Sequence, residues 1–197
     1  ILELAATLQK GEQPQVDPLY IDSVQKILSD TVSDRSLLAM ALMLPEESYL
    51  AQQMEVIDPD ALHQARRFVR QELAEVCAEN LRKVVHENAI DGDYELTPEA
   101  MGKRSLKNIC LSTLLAAKSI DTEDISLAKQ QYFSGSNMTD VVAVLAAVVH
   151  CDIDLRQELL DDFYEKWKEE QLVVDKWLIL QASSSLPTTL PAVKKLM

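Results

Sequence analysis

Apolar residues return at steps of three and four through most of this chain, the spacing that gathers them on one face of a helix. The clearest stretch follows Asp58 and Pro59, an N-cap with proline at the first helical position. After them Ala61, Ala65, Phe68, Val69, Leu73, Val76, Leu81 and Val84 fall on one side. The pattern predicts a single long amphipathic helix to about Glu87, ended by the run DGDYEL at 91–96. Thr97 and Pro98 repeat the start signal, and Met101, Leu106, Ile109, Cys110, Thr113 and Leu114 supply the next buried face. Gly102 costs that helix stability relative to alanine, so it marks a place where a neighbouring element comes close.

Asp121 opens a helix from Thr122 to about Phe133, and Gly135 is expected to close it in the left-handed conformation. Asn137 caps the most apolar helix, Met138 to about His150, with Asp140 in its first turn where the helix dipole favours an anion. Being apolar all round, this helix is expected in the middle of the domain. Asp154 to Glu170 is amphipathic through Leu155, Leu159, Phe163 and Trp167, and Val173, Val174, Trp177, Leu178 and Leu180 form a further buried face. Upstream, helices are expected near Leu2 to Gln9, Asp17 to Leu28, Asp34 to Met43 and Glu46 to Met54. The predicted fold is all-α, eight or nine helices in an irregular α-solenoid, a helical superhelix, because no strict repeat period appears.

Composition narrows this further. A chain of 197 residues, 47% hydrophobic, can bury one sizeable core, and a single all-helical domain over 1–197 is expected. Four glycines and seven prolines leave little material for the turns of a β-sandwich. A formal net charge of −13 repels phosphate backbones, so no nucleic-acid partner is expected. Two small basic clusters, Arg66, Arg67 and Arg70, and Lys103, Arg104 and Lys107, read as solvated or ion-paired surface. Cys77, Cys110 and Cys151 are odd in number, lack a C-x-x-C pair and sit in apolar phrases, which predicts buried thiols in a reducing compartment. The longest apolar run, Val141 to Val149, is about half the length a membrane span needs, so no membrane partner is expected either.

The scan for chemistry returns no catalytic and no metal-binding residue. His86 and Glu87 begin like a zinc helix, but the position four residues after His86 is Ile90, and one imidazole cannot make an i, i+4 chelate. Asp91, Asp93 and Glu95 carry oxygen donors but fail the calcium-loop pattern and read as an acidic turn. His63 and His150 have no His or Cys at ligand spacing and read as surface or helix-end residues. Asp175 and Lys176 read either as a structural ion pair or cap or as solvated charges, and Trp167 and Trp177 as core residues whose N–H groups reach backbone carbonyls.

Four segments nevertheless form a recognisable set: IDPDALHQAR at 57–66, KRSLKN at 103–108, NMTD at 137–140 and QLVVDKWLILQ at 171–181. In that order and spacing they resemble the C-terminal all-helical domain of the aminopeptidase N family of zinc-dependent aminopeptidases, over about Asp17 to Met197. The resemblance implies a parent enzyme that removes N-terminal residues from peptides, uses zinc held by H-E-x-x-H and a distant Glu, and binds the substrate's amino group through a G-A-M-E-N loop. None of these motifs is present in this chain. It follows that no cofactor is expected here, that the catalytic domain of the same polypeptide and the parent's peptide substrates are the expected partners, and that the location is cytoplasmic. The substrate-facing positions stay unknown at this stage.

The phrases ILELAATLQK and AVKKLM at the two ends start and stop inside periodic, apolar segments, which suggests a piece truncated at both ends and lacking its catalytic domain. The alternatives are a stand-alone helical scaffold binding partner proteins along a concave surface, and an autonomous enzyme. The scaffold should carry polar terminal caps, and the enzyme a recognisable nucleophile, base and orienter.

Overall fold

Side-chain caps mark where half of the twelve described helices begin. The computed structural model describes residues 1–90, 92 and 94–196, so Asp91 and Asp93, considered above as oxygen donors, lie outside the described residues. Twelve α-helices form among the described residues, and the chain divides into two compact units, Ile1–Ser119 and Ile120–Met197. In the first unit the helices are α1 (Leu2–Gln9), α2 (Pro18–Ser29), α3 (Arg35–Leu42), α4 (Glu47–Ala51), α5 (Pro59–Val76), α6 (Ala78–Glu87) and α7 (Pro98–Leu114). In the second they are α8 (Thr122–Ser134), α9 (Met138–Val148), α10 (Asp154–Trp167), α11 (Gln171–Ala182) and α12 (Thr189–Leu196). The all-α expectation holds; the expected count of eight or nine was too low.

Part of the difference lies in the long helix predicted from Pro59 to Glu87, which breaks at Cys77. That residue leaves the helical region at φ −105°, ψ 12°, yet its N–H still bonds Leu73 O at 3.0 Å and its carbonyl accepts from Leu81 N at 2.9 Å. The hydrogen bonding runs on while the axis changes direction. The buried face follows, passing through Leu73, Cys77 and Leu81 and leaving Val76 half exposed. The helix expected over Glu46 to Met54 contracts to the five residues of α4, and α10 ends at Trp167 rather than near Glu170.

In the first unit α7 packs against both α3 and α6, and α1 against α5. Ala5, Ala61 and Ala65 let α1 and α5 approach closely, with Leu50 and Leu62 filling the space beside them. Gly102 lies where α7 meets the start of α3: a Cβ there would stand 2.9 Å from Ser36 Oγ and 3.1 Å from both Arg35 Cβ and Ser36 N. The close approach inferred from that glycine is therefore present. Because α7 is covered on two sides, Arg104 and Lys107 are only 4% and 7% exposed, which corrects the reading of that basic cluster as surface. The Arg104 guanidinium lies over the Tyr94 ring, 4.9 Å from its centre, whereas Lys103 stays outside and pairs with Glu99 at 2.9 Å.

In the second unit α8 and α10 pack on α9, whose Val144, Leu145 and Val148 are almost fully buried, as are Leu159, Leu160 and Phe163 of α10. Gly135 has φ −61°, not the left-handed value expected. A Cβ there would come within 2.8 Å of Gln131 O and 3.1 Å of Val141 Cγ2, so the glycine provides room between α8 and α9 instead of an unusual backbone angle. On α11, Trp177 and Gln181 are buried, but Leu178 and Ile179 are exposed, so the apolar face is narrower than its composition suggested. Trp167 is 36% exposed and lies against the Phe163 ring at 6.5 Å, outside the core position expected for it.

Replacing Val144 by aspartate puts an unpaired carboxylate in the core of α9 and is expected to cost about 4 kcal/mol or more. Thermal melts check it, and a variant melting within a few degrees of the parent chain refutes the central place of this helix. Gly102→Val adds a branched side chain where Ser36 and Arg35 already stand, and is expected to lower the melting temperature by several degrees. An unchanged melt would show that α3 yields freely at this contact.

Candidate functional site

A cavity of about 560 Å³ lies in the first unit. It is bounded by α1, the polar segment that follows it, the start of α2, the turn after α3, and α5. Leu4, Val16, Leu44, Pro45 and Val69 supply apolar walls, and Glu3, Thr7, Gln13, Gln15, Asp17 and Tyr20 the polar groups. Asp17 Oδ1 accepts from Leu19 N at 2.8 Å as the cap of α2, and Thr7 Oγ1 donates to Glu3 O at 2.9 Å. Burial, and then the neighbouring Cys77, raise the Tyr20 phenol above its ordinary value, so its hydroxyl stays protonated and neutral. Sequence reasoning did not find this site. Its lining comes from separated stretches whose only shared mark is the polar, proline-containing run GEQPQVDP between the first two helices.

The four segments that carried the family resemblance have a different character: several of their polar groups are spent on capping and joining helices. Asp58 Oδ1 accepts from Ala61 N at 2.9 Å to cap α5, while its Oδ2 accepts from Gln9 Nε2 at 3.0 Å and ties α1 to α5. Those hydrogen bonds hold the Asp58 carboxyl below the usual aspartate range. The KRSLKN segment forms the middle of α7. Asn137 Oδ1 accepts from Asp140 N at 2.9 Å, its Nδ2 donates to Asp140 Oδ2 at 3.1 Å, and Gln131 Nε2 reaches Asp140 O at 3.3 Å, so NMTD fixes the start of α9 against α8. On α11, Trp177 Nε1 donates to Leu160 O at 2.9 Å, the backbone partner expected for it, while Asp175 and Lys176 are both exposed.

One further polar cluster joins α8 to α10. Tyr132 Oη donates to Asp162 Oδ2 at 2.8 Å, and Lys166 Nζ lies 2.8 Å from the same oxygen. The Lys166 ammonium also stands 5.6 Å from the centre of the Tyr132 ring and 5.5 Å from that of Phe133. Burial, then the hydrogen bond to Asp162, push the Tyr132 hydroxyl well above the ordinary phenol value. Desolvation pushes the Asp162 carboxyl up, but the hydrogen bonds from Lys166 and Tyr132 outweigh it and hold the group below its usual range.

The remaining candidates stay apart. His63 Nδ1 lies 3.1 Å from Glu47 Oε1, and Arg66 reaches the same oxygen at 3.2 Å. His86 sits exposed in the last turn of α6, and His150, just past α9, accepts from Ser185 N through Nδ1 at 3.1 Å. All three cysteines are free and buried, and burial pushes the Cys110 thiol up to about 12. The zinc implied by the family resemblance therefore finds no fitting donor set: the imidazoles are on separate elements, all three thiols are buried, and burial of Cys77 and Cys110 disfavours the thiolate a metal needs. Among the described residues no group of three or more His, Cys, Asp or Glu side chains gathers to hold a metal ion. No helix among them is long and apolar enough to cross a membrane.

Comparison with known proteins places these features in context. Residues 1–197 match a family model described as a domain of unknown function (DUF3458_C) of ARM repeats. The chain is 33% identical over 190 residues to aminopeptidase N of Escherichia coli (strain K12), covering 96% of this chain and 21% of that protein. It is 31% identical over 189 residues to aminopeptidase N of Haemophilus influenzae, covering 96% and 21%, and 31% identical over 192 residues to aminopeptidase N of Caulobacter vibrioides, covering 97% and 22%. The chain thus spans about a fifth of the length of the curated relatives it matches. Among solved structures, Legionella pneumophila aminopeptidase A in complex with aspartic acid shares the fold with a TM-score of 0.77 at 22% identity, over 100% of this chain and 24% of that one.

The Tyr132–Asp162 bond gives a pH-dependent expectation. A carboxylate whose pKa is lowered by folding contributes stability that is complete above the ordinary aspartate value, about 4, and is lost as pH falls through the lower folded value. Tyr132→Phe removes one of the groups that lowers it, and is expected to cost about 1 kcal/mol at pH 7. The gap from the parent chain should narrow in melts at pH 3 and below. A gap of constant size from pH 7 to pH 2 would show that the charge on Asp162 contributes nothing to the bond.

Proposed function

The chain belongs to the DUF3458_C family of ARM-repeat domains, and from that premise we propose that it is the non-catalytic C-terminal helical domain of a zinc aminopeptidase that removes N-terminal residues from peptides. One observation carries the reading: nearly the whole of this chain aligns with about a fifth of three aminopeptidases N, each at 31–33% identity. The polar wiring described above supports it. Asp58, Asn137, Asp140 and Trp177, which mark the family, cap helices or join them, and they are not arranged as nucleophile, base and orienter. In this reading the domain forms an irregular helical solenoid in the cytoplasm, and its partner is the catalytic domain of the same polypeptide.

Its contribution is access and burial. A wall of helices over a hydrolytic site limits entry to a free peptide end, holds the substrate in register and keeps bulk water from the reacting carbonyl, and each of these favours chemistry carried by groups on the other domain. Zinc supplies the activated water there, and no residue of this chain is assigned a part in holding it.

Two measurements test the proposal. The isolated chain, purified without affinity tags, is expected to carry no stoichiometric zinc and to release no alanine from an alanyl amide. The parent enzyme without this region is expected to keep its zinc but lose kcat/KM by about tenfold or more, through lost positioning and open solvent access. Chelator-sensitive turnover by the isolated chain, or an unchanged kcat/KM in the shortened parent, would defeat the reading.

A further inference from the structure

Alone among the described helices, α12 buries none of its residues, and it packs chiefly against α11. Its start is fixed by the turn 183–188, which is tied to the end of α9 through two serines. Ser184 Oγ donates to Val149 O at 2.6 Å, an oxygen that also accepts from Arg156 Nε at 3.3 Å. Ser185 N donates to His150 Nδ1 at 3.1 Å, and Ser185 Oγ stands 3.2 Å from the same nitrogen. A backbone N–H can only donate, so Nδ1 accepts, and the imidazole is held neutral with its proton on Nε2. His150 is exposed, so a proton can reach it from solvent.

We propose that His150 is a pH-sensitive latch for the 183–188 turn: neutral, it holds Ser185 and with it the start of α12 against the end of α9, and protonated, it releases them. A proton on Nδ1 turns the acceptor into a second donor facing the Ser185 N–H, so attraction becomes repulsion. Imidazoles take up that proton as pH falls through about 6.5. The bond from Ser184 to Val149 O has no titrating partner and stays, so the turn hinges there and the freed segment begins at Ser185. Charged groups at this end of the unit are Asp121, Glu123 and Asp124 at the start of α8, Asp152 and Asp154 where α9 leads into α10, and Arg156. The last turn of α11, the 183–188 turn and the first turn of α12 carry none, and Lys194 and Lys195 lie in the last turn of α12. Carboxylates outnumber the one guanidinium, so the main opposition to an imidazolium is the Ser185 N–H itself. The latch lies within the second unit and does not depend on what reaction the parent performs.

Amide hydrogen exchange of the 197-residue chain at about pH 7.5 and about pH 5.5, corrected for the intrinsic rate at each, tests this together with the nitrogen NMR shifts of the imidazole. Protection of the Ser185 and Ala192 amides is expected to fall about tenfold at the lower pH, the loss of roughly one hydrogen bond's net contribution, while Leu145 and Val148 in α9 keep theirs. At the higher pH the shifts are expected to show Nδ1 without a proton. His150→Asn puts an acceptor oxygen near the place of Nδ1 and does not titrate, so it is expected to stay protected at both pH values, and His150→Ala to be weakly protected at both. Equal protection of the unsubstituted chain at the two pH values, a drop that persists in His150→Ala, or a proton on Nδ1 at the higher pH would each overturn the proposal. Should the shorter Asn side chain fail to reach Ser185, the unsubstituted chain, His150→Ala and the nitrogen shifts decide alone.

Discussion

Every helix leaves backbone N–H groups at its start without an internal partner, and a chain built almost wholly of helices meets that demand again and again. Here six side chains meet it: Asp17, Asp34, Asp58, Thr97, Asp121 and Asn137 each accept from the first turn of the helix that follows. In α2, α5 and α7 a proline comes next, removing one orphan donor and presetting the backbone angle. These caps fix the position at which each helix starts, and so which of its residues face the core. The packing of α7 between α3 and α6, and of α9 between α8 and α10, depends on that registration.

Because caps are written in single residue types, the helix starts were legible in the sequence. Asp58–Pro59, Thr97–Pro98, Asp121 and Asn137 all open helices where they were expected to. Interruptions were not legible. Nothing in the local pattern around Cys77 separates it from Val76 as the buried position, since the turn is set by what α5 and α6 pack against rather than by a breaking residue. Gly135 illustrates the same limit: a glycine after a helix is expected for its backbone freedom, yet here it is required for space. Arg104 and Lys107 were read as surface because charged residues usually are, and the two-sided covering of α7 is a property of the tertiary arrangement. The cavity was invisible for a related reason, as its walls come from residues between 1 and 69 that share no motif.

The family resemblance was legible for a physical reason too. The segments that carried it hold the polar groups whose bonds are most constrained in direction: a cap that also ties two helices, a paired Asn and Asp at the head of α9, and an indole N–H aimed at one carbonyl. Apolar core positions tolerate exchange among residues of similar volume, whereas these bonds specify a donor or an acceptor at one place. A fold can therefore keep a thin signature of polar positions while most of its core varies.

Cys77 ends one helix and begins the next with no intervening loop. The junction thus transmits rotation: since each residue of an α-helix turns it by about 100°, adding or deleting one residue in α6 would swing its buried face away from α7 and α2, both of which it packs against. A surface loop would absorb such a change by bulging, but a directly jointed pair of helices cannot. The segment from Cys77 to Asn88 is for that reason a stretch in which length is held more tightly than composition, and changes in chain length between relatives should collect elsewhere, in connections such as the polar run that lines the cavity.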